Sequence, residues 1–442
     1  MRFSFGRAGT LGALVLALGA QASSAASIPP AAGVDLHESY TLLTSTYYSA
    51  VDPQIVLDGA RTALEKELKS RGLKLALAPL HAGADASANI AQIDAAINSA
   101  AVQSKLSATD LTYKAIAGMA GSLGDKYTAF FTPAEFKQFN QALDPDKISG
   151  IGVLIQPENT SKYIQAFYVV PGTPADKAGL KTGDVFTAID GTSTQGLTVD
   201  KASALLRGKP GTQVSLQVQR DGAALPSPVA IIRSQVQPPT VIFKMLPNKI
   251  GYIYVAVFGL NTYDQFNVAL ARLQDGGARA YVMDLRNDGG GYVNAALGIS
   301  SKFIATDPIV SIESRGSKVE TITADNEAIA PKPMTILVNG YTASASEITA
   351  GALQDDGLAT LVGTRTFGKG VMQTLTPLPG GAAIKITTQH YLTPKHRDIN
   401  HKGLDPDLKI EPTKGDRFGE IEHDAQLQAA VSILEKKIAQ QI

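Results

Sequence analysis

The chain has 442 residues, with Lys plus Arg and Asp plus Glu balanced at 40 each, so no excess positive charge is available to neutralise phosphates and nucleic acid is not an expected partner. One hydrophobic core rarely organises that length, and 44% hydrophobic with 18% charged residues is the composition of a folded, multidomain protein. The absence of cysteine removes disulfides, thiolate metal sites and a cysteine nucleophile together.

Arg2 and Arg7 precede an apolar run from Leu11 to Leu18, and small residues follow at Ala20-Gln21-Ala22 and Ser24-Ala25-Ala26. This is the layout of a secretory signal peptide over residues 1–26, with cleavage expected after Ala22 or Ala26 and a secreted mature protein. An uncleaved N-terminal anchor is the alternative; no later stretch approaches ~20 apolar residues, so no other membrane span is expected. Residues 27–146 read mainly as helix. Apolar spacing recurs from Leu36 to Tyr40 and from Ile55 to Leu73, an Ala-rich stretch runs from Ala84 to Val102, and Pro133 sits in the first turn of a further helix.

Between 147 and 238 the pattern changes to short alternating strands with glycine punctuation: Gly152–Ile155, Ile164–Val170, Asp184–Ile189 and Gln213–Val218. The markers Ser149-Gly150-Ile151-Gly152-Val153, Pro171-Gly172-Thr173-Pro174-Ala175, Ala178-Gly179-Leu180, Gly183-Asp184 and Asp190-Gly191 stand in an order that resembles a PDZ domain. Such domains bind a peptide as an added strand at a sheet edge, with a glycine loop facing the peptide carboxylate. The resemblance assigns that loop to Gly150, Ile151, Gly152 and Val153. Taken alone, the glycines would mark only a tight turn.

From 239 to 415 the signals are β-α-β. Ile250–Val255 and Ala280–Leu285 read as strands joined by a helix over Tyr263–Leu273. Met334–Val338 then runs into Thr342-Ala343-Ser344-Ala345-Ser346-Glu347, followed by a helix over Ile348–Leu353 and a strand over Leu358–Val362. Ser344 therefore falls on a strand-to-helix turn, a common place for a nucleophile. A serine hydroxyl needs a base, and Lys369, enclosed by Phe367, Gly368, Gly370 and Val371, is placed to be desolvated and so to act as one. The bland reading is that Ser344 caps a helix and Lys369 is solvated. No G-x-S-x-G and no S-x-x-K occurs, which removes two other serine-hydrolase layouts. A last amphipathic helix is expected over 416–442, with Leu427, Ala430, Val431 and Leu434 on one face.

Ser344-Ala345-Ser346-Glu347, Phe367-Gly368-Lys369-Gly370 with Gln373, Asp284-Leu285-Arg286-Asn287 with Gly290-Gly291, Tyr391-Leu392-Thr393-Pro394 and Gly403-Leu404-Asp405-Pro406-Asp407 together resemble the carboxyl-terminal processing peptidases, or tail-specific proteases. The resemblance implies an α/β multidomain protein: a helical N-terminal region, a PDZ domain, and a mixed α/β catalytic core with β-α-β units. It implies Ser344 as nucleophile, Lys369 as base, Gln373 as the residue orienting the lysine, and the N–H groups of Ala345 and Gly290 as oxyanion hole. Neither metal nor cofactor is implied. Expected partners are protein or peptide substrates with apolar C-terminal tails, with room for an adaptor protein and a homo-oligomer, and the implied address is the periplasm. The chain departs from the family at Asp288-Gly289, where Asn-Pro is usual, and in its Ala-rich stretch, which exceeds what the family's N-terminal helices need. The rival class is a catalytically silent PDZ-containing scaffold that only binds peptides.

Overall fold

The protein is described here by a computed structural model covering residues 27–74, 76–145, 147–158, 161–413 and 419–440. The signal peptide expected over 1–26 lies outside the described residues. The chain forms two compact units.

The smaller unit, in its described part, takes residues 27–44, 51–124 and 378–380. Its helices are α1 (Pro30–Thr46), α2 (Pro53–Ser70), α3 (Ala86–Ser104) and α4 (Ala108–Gly121). The Ala-rich stretch is α3, started by Asp85, whose carboxylate accepts the Ser87 N–H. Its buried residues Ile90, Ile93, Ile97, Ala100 and Ala101 recur at helical spacing, and α3 packs against α2 and α4. The helical region expected over 27–146 divides at Gly124; its residues from Asp125 onward belong to the larger unit.

The larger unit opens with β1 (Ala129–Phe131) and α5 (Pro133–Leu143). A capping box between Thr132 and Glu135 fixes the start of α5. A β-rich module follows: β2 (Ile148–Gly150), β3 (Val153–Pro157), β4 (Ile164–Val169), α6 (Pro174–Lys177), β5 (Val185–Ile189), β6 (Thr192–Ser193), α7 (Val199–Leu206), β7 (Gln213–Arg220), β8 (Ala223–Ala224), β9 (Val229–Ile232) and β10 (Ser234–Val236). β2 and β10 pair antiparallel, so the chain enters and leaves the module through one two-stranded neck. β3 is the edge of the main sheet, whose path is β3-β4-β5-β7-β8. Ile164, Phe186, Val214, Leu216 and Ile231 fill the module's own core.

The rest of the unit comprises β11 (Val241–Leu246), β12 (Ile250–Val255), α8 (Thr262–Asp275), β13 (Ala280–Asp284), α9 (Val293–Ser301), β14 (Pro308–Ser314), β15 (Glu320–Thr323), β16 (Met334–Val338), α10 (Ala345–Asp355), β17 (Ala359–Gly363), β18 (Val371–Pro377), β19 (Ala383–Leu392), β20 (Leu408–Lys409) and α11 (Ala425–Ala439). The central sheet runs β11-β12-β13-β16-β17-β20, antiparallel at β11 and parallel from β12 to β20. β13 and β16 are buried at every residue, as expected of strands covered on both faces. A second sheet, β1-β19-β14-β15 with β18 on β19, was not anticipated. α11 does not stand apart: Leu427, Ala430, Val431 and Leu434 share a core with Val282, Leu337 and Val362.

One polar cluster locks α11 to the end of β13. Arg286, 1% exposed, donates through Nε and Nη2 to Asp284 at 2.9 and 2.6 Å, and through Nη1 and Nη2 to Asp424 at 2.9 and 2.7 Å. Tyr252 donates to Asp284 Oδ2 at 2.7 Å, and Asp424 also accepts the Leu427 N–H as the cap of α11. A buried guanidinium between two carboxylates tolerates loss of neither. Asp424→Ala should therefore lower stability by about 3–5 kcal/mol in chemical denaturation. A loss below about 1 kcal/mol would show that water replaces the carboxylate.

Candidate active site

Parallel strands end on a common edge, and the loops after them form natural crevices. The loop after β13 carries Arg286 to Gly291, and the loop after β16 carries Asn339 to Ser344. They are stitched together by Thr342 Oγ1, which donates to Leu285 O at 2.8 Å, by the Ala343 N–H, which donates to Asp288 O at 3.0 Å, and by Ser346 Oγ, which donates to Asp288 O at 3.1 Å. On the other side, the Phe367 N–H donates to Thr342 O at 3.0 Å, which brings in the loop leading to β18.

Ser344 is the N-cap residue of α10, with φ 59° and ψ −118°. A non-glycine residue at positive φ costs about 1–3 kcal/mol and persists only where its surroundings fix it. Here they do. Its N–H donates to Glu347 Oε2 at 2.9 Å, and its carbonyl accepts the Ile348 N–H at 2.9 Å and the Tyr391 hydroxyl at 3.2 Å. Ala345 is the first residue of α10, so its N–H has no carbonyl one turn back within the helix.

Glu347 is fully buried and meets four donors. Oε1 accepts Thr366 Oγ1 at 2.5 Å and the Gly368 N–H at 2.8 Å; Oε2 accepts the Ser344 N–H and the Lys369 N–H, each at 2.9 Å. One carboxylate oxygen thus joins the backbones of Ser344 and Lys369. Tyr391 makes the same link from the opposite side, donating to Lys369 O at 2.6 Å as well as to Ser344 O. Gly368, at φ 83°, leaves no room for a side chain, since a Cβ there would lie 2.7 Å from the Gly403 N. The glycine before the lysine is thereby required by close backbone approach.

The Lys369 ammonium lies 5.1 Å from the centre of the Tyr127 ring. Burial pushes its pKa down to about 8, the like charge of Lys385 acts the same way, and Asp125 and Glu347 oppose them. Lys385 is itself lowered by burial. Gln373 follows an irregularity in the β18–β19 register, and its amide donates to Thr387 Oγ1 at 3.3 Å. Among the described residues no hydrogen bond joins Gln373 to Lys369, so the expected orienting contact is not made in this state.

Gly290 stands directly against the serine turn: a Cβ there would lie 2.8 Å from both Ala345 N and Ser344 Cβ. Its φ of 94° also favours glycine. Its N–H, however, donates to Asp288 Oδ1 at 2.8 Å. Asp355, at the end of α10, accepts the Lys395 N–H at 2.8 Å and pairs with Arg397 at 2.6 Å, a contact that holds the loop after β19 to the helix.

The peptide-binding loop expected in the β-rich module is split. Gly150 ends β2, opposite Ser234; Ile151 is buried in the module core; Gly152 turns at φ 84°; and Val153 starts the edge strand β3. A cavity of about 260 Å³ lies along this edge, lined by Gly150 to Ile155 and by Val199, Ser203 and Leu206 of α7.

Glu347, Tyr391 and Asp288 escaped the sequence reading as functional residues. For Glu347 the signal existed, since Ser344-x-x-Glu347 has the spacing of a capping box. Tyr391 acts across 47 residues, and nothing local announces such a contact.

Residues 249–410 match peptidase family S41, and residues 168–220 match PDZ domains. The carboxyl-terminal-processing protease of Synechocystis sp. is 36% identical over 334 residues, 74% of this chain and 78% of that protein. The carboxy-terminal processing protease CtpA of Bacillus subtilis is 34% identical over 298 residues, 67% of this chain and 63% of that protein. A solved structure of a photosystem II D1 C-terminal processing protease aligns with a TM-score of 0.43 at 26% identity, over 82% of this chain and 94% of its own.

Glu347→Gln replaces one acceptor oxygen by an amide that meets two N–H or O–H donors. We expect a stability loss of about 2–4 kcal/mol, and a fall in kcat of about a hundredfold with KM nearly unchanged, measured on a short peptide. A variant with wild-type kcat would show that the shared carboxylate does not set the Ser344–Lys369 geometry.

Proposed function

Because the chain belongs to the carboxyl-terminal-processing protease family of serine-type peptidases, we propose that it is an endopeptidase cutting proteins near their C-terminus, with Ser344 as nucleophile and Lys369 as general base. The observation that supports this most is the single Glu347 oxygen holding both the Ser344 and Lys369 N–H groups. It ties a strained serine turn to a lysine that burial inclines toward its neutral form.

In this mechanism neutral Lys369 takes the Ser344 hydroxyl proton as Oγ attacks the scissile carbonyl carbon. The oxyanion forms beside the Ala345 and Gly290 N–H groups. Collapse of the tetrahedral adduct breaks the C–N bond, and protonated Lys369 gives its proton to the departing amine. A water, deprotonated by Lys369, then attacks the acyl ester, and the protonated lysine gives that proton to Ser344 Oγ as the C–O bond breaks. Gln373 would orient the lysine once its amide turns from Thr387. Substrate tails enter by strand addition at the edge of β3, where apolar residues line the cavity and favour apolar tails. The layout of residues 1–26 supports export, and the periplasm is the proposed address.

Ser344→Ala and Lys369→Ala should each remove activity while leaving a folded protein, and combining them should cost no more than either alone. Gln373→Ala should be milder. More than about a tenth of wild-type activity in either of the first two variants would sink the dyad.

Since Lys369 must be neutral to act, the rate should rise from mildly acidic pH toward about 8 as the group titrates. A profile flat from mildly acidic to alkaline pH on an unstructured peptide would remove the lysine from the mechanism.

Tail selection is tested separately. A substrate ending in a free apolar carboxylate should be cut faster than its amidated twin, and deleting residues 148–236 should erase the difference. Equal rates with the intact enzyme would leave the β-rich module without a role in reading tails.

A further inference from the structure

Asp288 is fully buried and lies in the loop that carries Gly290. Its carboxyl is unequally served. Oδ1 accepts the Gly290 N–H at 2.8 Å, while Oδ2 is buried and, among the described residues, has no hydrogen-bond partner. Its backbone carbonyl is separately occupied by Ala343 and Ser346, so the main chain of the loop stays fixed to the serine turn whatever the side chain does. The Gly290 carbonyl is likewise held, by the Phe258 N–H at 3.0 Å.

The acceptor of the Gly290 N–H therefore lies within its own loop, two residues back. An oxyanion formed at Ser344 needs that same hydrogen, and one N–H cannot serve two acceptors at full strength. A carboxylate also repels the negative charge that develops on the substrate oxygen, whereas a neutral carboxyl does not.

Resting on the Ser-Lys reading above, we propose that Asp288 is a positioning residue that competes with the reacting oxygen for the Gly290 N–H, so that the oxyanion hole is complete only when Asp288 gives this hydrogen up. Among the described residues, Asp288 is faced by Ser346 from α10 and Tyr254 from β12, while Arg286 of its own loop is paired with Asp284 and Asp424. Burial raises the Asp288 carboxyl to about 8, against the opposing hydrogen bond from the Gly290 N–H. Below that pH the group is neutral and a weak competitor; above it the charge both tightens its hold on the N–H and opposes the oxyanion.

The test compares hydrolysis of a short unstructured peptide by wild type, Asp288→Asn and Asp288→Ser from about pH 6 to about pH 10. Asparagine keeps the shape without the charge, and serine withdraws the acceptor. The ratio of variant to wild-type kcat should be near one at the acidic end and rise to about tenfold at the alkaline end, with KM unchanged. Taking the ratio cancels the titration of Lys369, which all three proteins share. A ratio independent of pH, a kcat below wild type throughout, or failure of both variants to fold overturns the proposal. Ser344→Ala in the same assay separates the two readings: an active Ser344→Ala sinks the dyad, whereas an inactive one with a flat Asp288 ratio sinks only the competition.

Discussion

The site depends on one buried carboxylate. Glu347 projects from the first turn of α10 and takes hydrogen bonds from Ser344 ahead of it and from Thr366, Gly368 and Lys369 some 20 residues later in the chain. Those donors belong to two loops that share no secondary structure. Without the carboxylate, two buried donors, on Thr366 and Gly368, and two half-buried ones, on Ser344 and Lys369, would lose this acceptor at once, at about 1–3 kcal/mol for each buried group. That concentration of demand explains how Ser344 is held at positive φ and how a lysine loop that belongs to no strand or helix keeps its place beside it.

The parallel sheet supplies the frame on which this carboxylate works. β13 and β16 are adjacent and parallel, so the loops after them emerge side by side. The Arg286 cluster fastens the first of these loops from beneath, through Asp284 and the cap of α11, and Thr342 and Asp288 fasten the two loops to each other. A signature such as Asp-Leu-Arg thus carries no chemistry of its own here. Its arginine is a buried clamp that fixes the start of the loop carrying Gly290, four residues on.

Much of this frame was legible in the sequence because it is local. The strands at Ile250–Val255 and Met334–Val338 are continuous apolar runs, and the helices that follow show 3.6-residue spacing, so the β-α-β order could be read directly. The second sheet was not legible. β18 carries a register irregularity between Met372 and Gln373, and β14 pairs with β19 across 75 to 81 residues, so neither offers a clean alternating pattern or a nearby partner. The boundary at Gly124 was hidden for a related reason. α5 looks like a continuation of the preceding helices, but none of its residues is buried, and β1 just before it is claimed by β19. In the site, residue types pointed to Ser344 and Lys369, whereas the acceptor of the Gly290 N–H could not be foreseen, because it is set by a side-chain rotamer two residues away.

Two fully buried carboxyl groups flank the serine turn, and the contrast between them shows what burial does to an acid. Glu347 has four donors shared over both oxygens; Asp288 has one donor on Oδ1 and none on Oδ2 among the described residues. Desolvation penalises the charged form of Asp288, and its single donor offsets little of that cost. Asp288 is accordingly pushed up to about 8, where it carries a proton through the neutral range. Lys369 is pushed down to about 8 by the same removal of water, which favours its neutral form as well. Burial that favours the neutral form of an amine also favours the neutral form of an acid. Asp288 and Lys369 are each moved by removal of water, the acid upward and the amine downward, so both shifts favour an uncharged group.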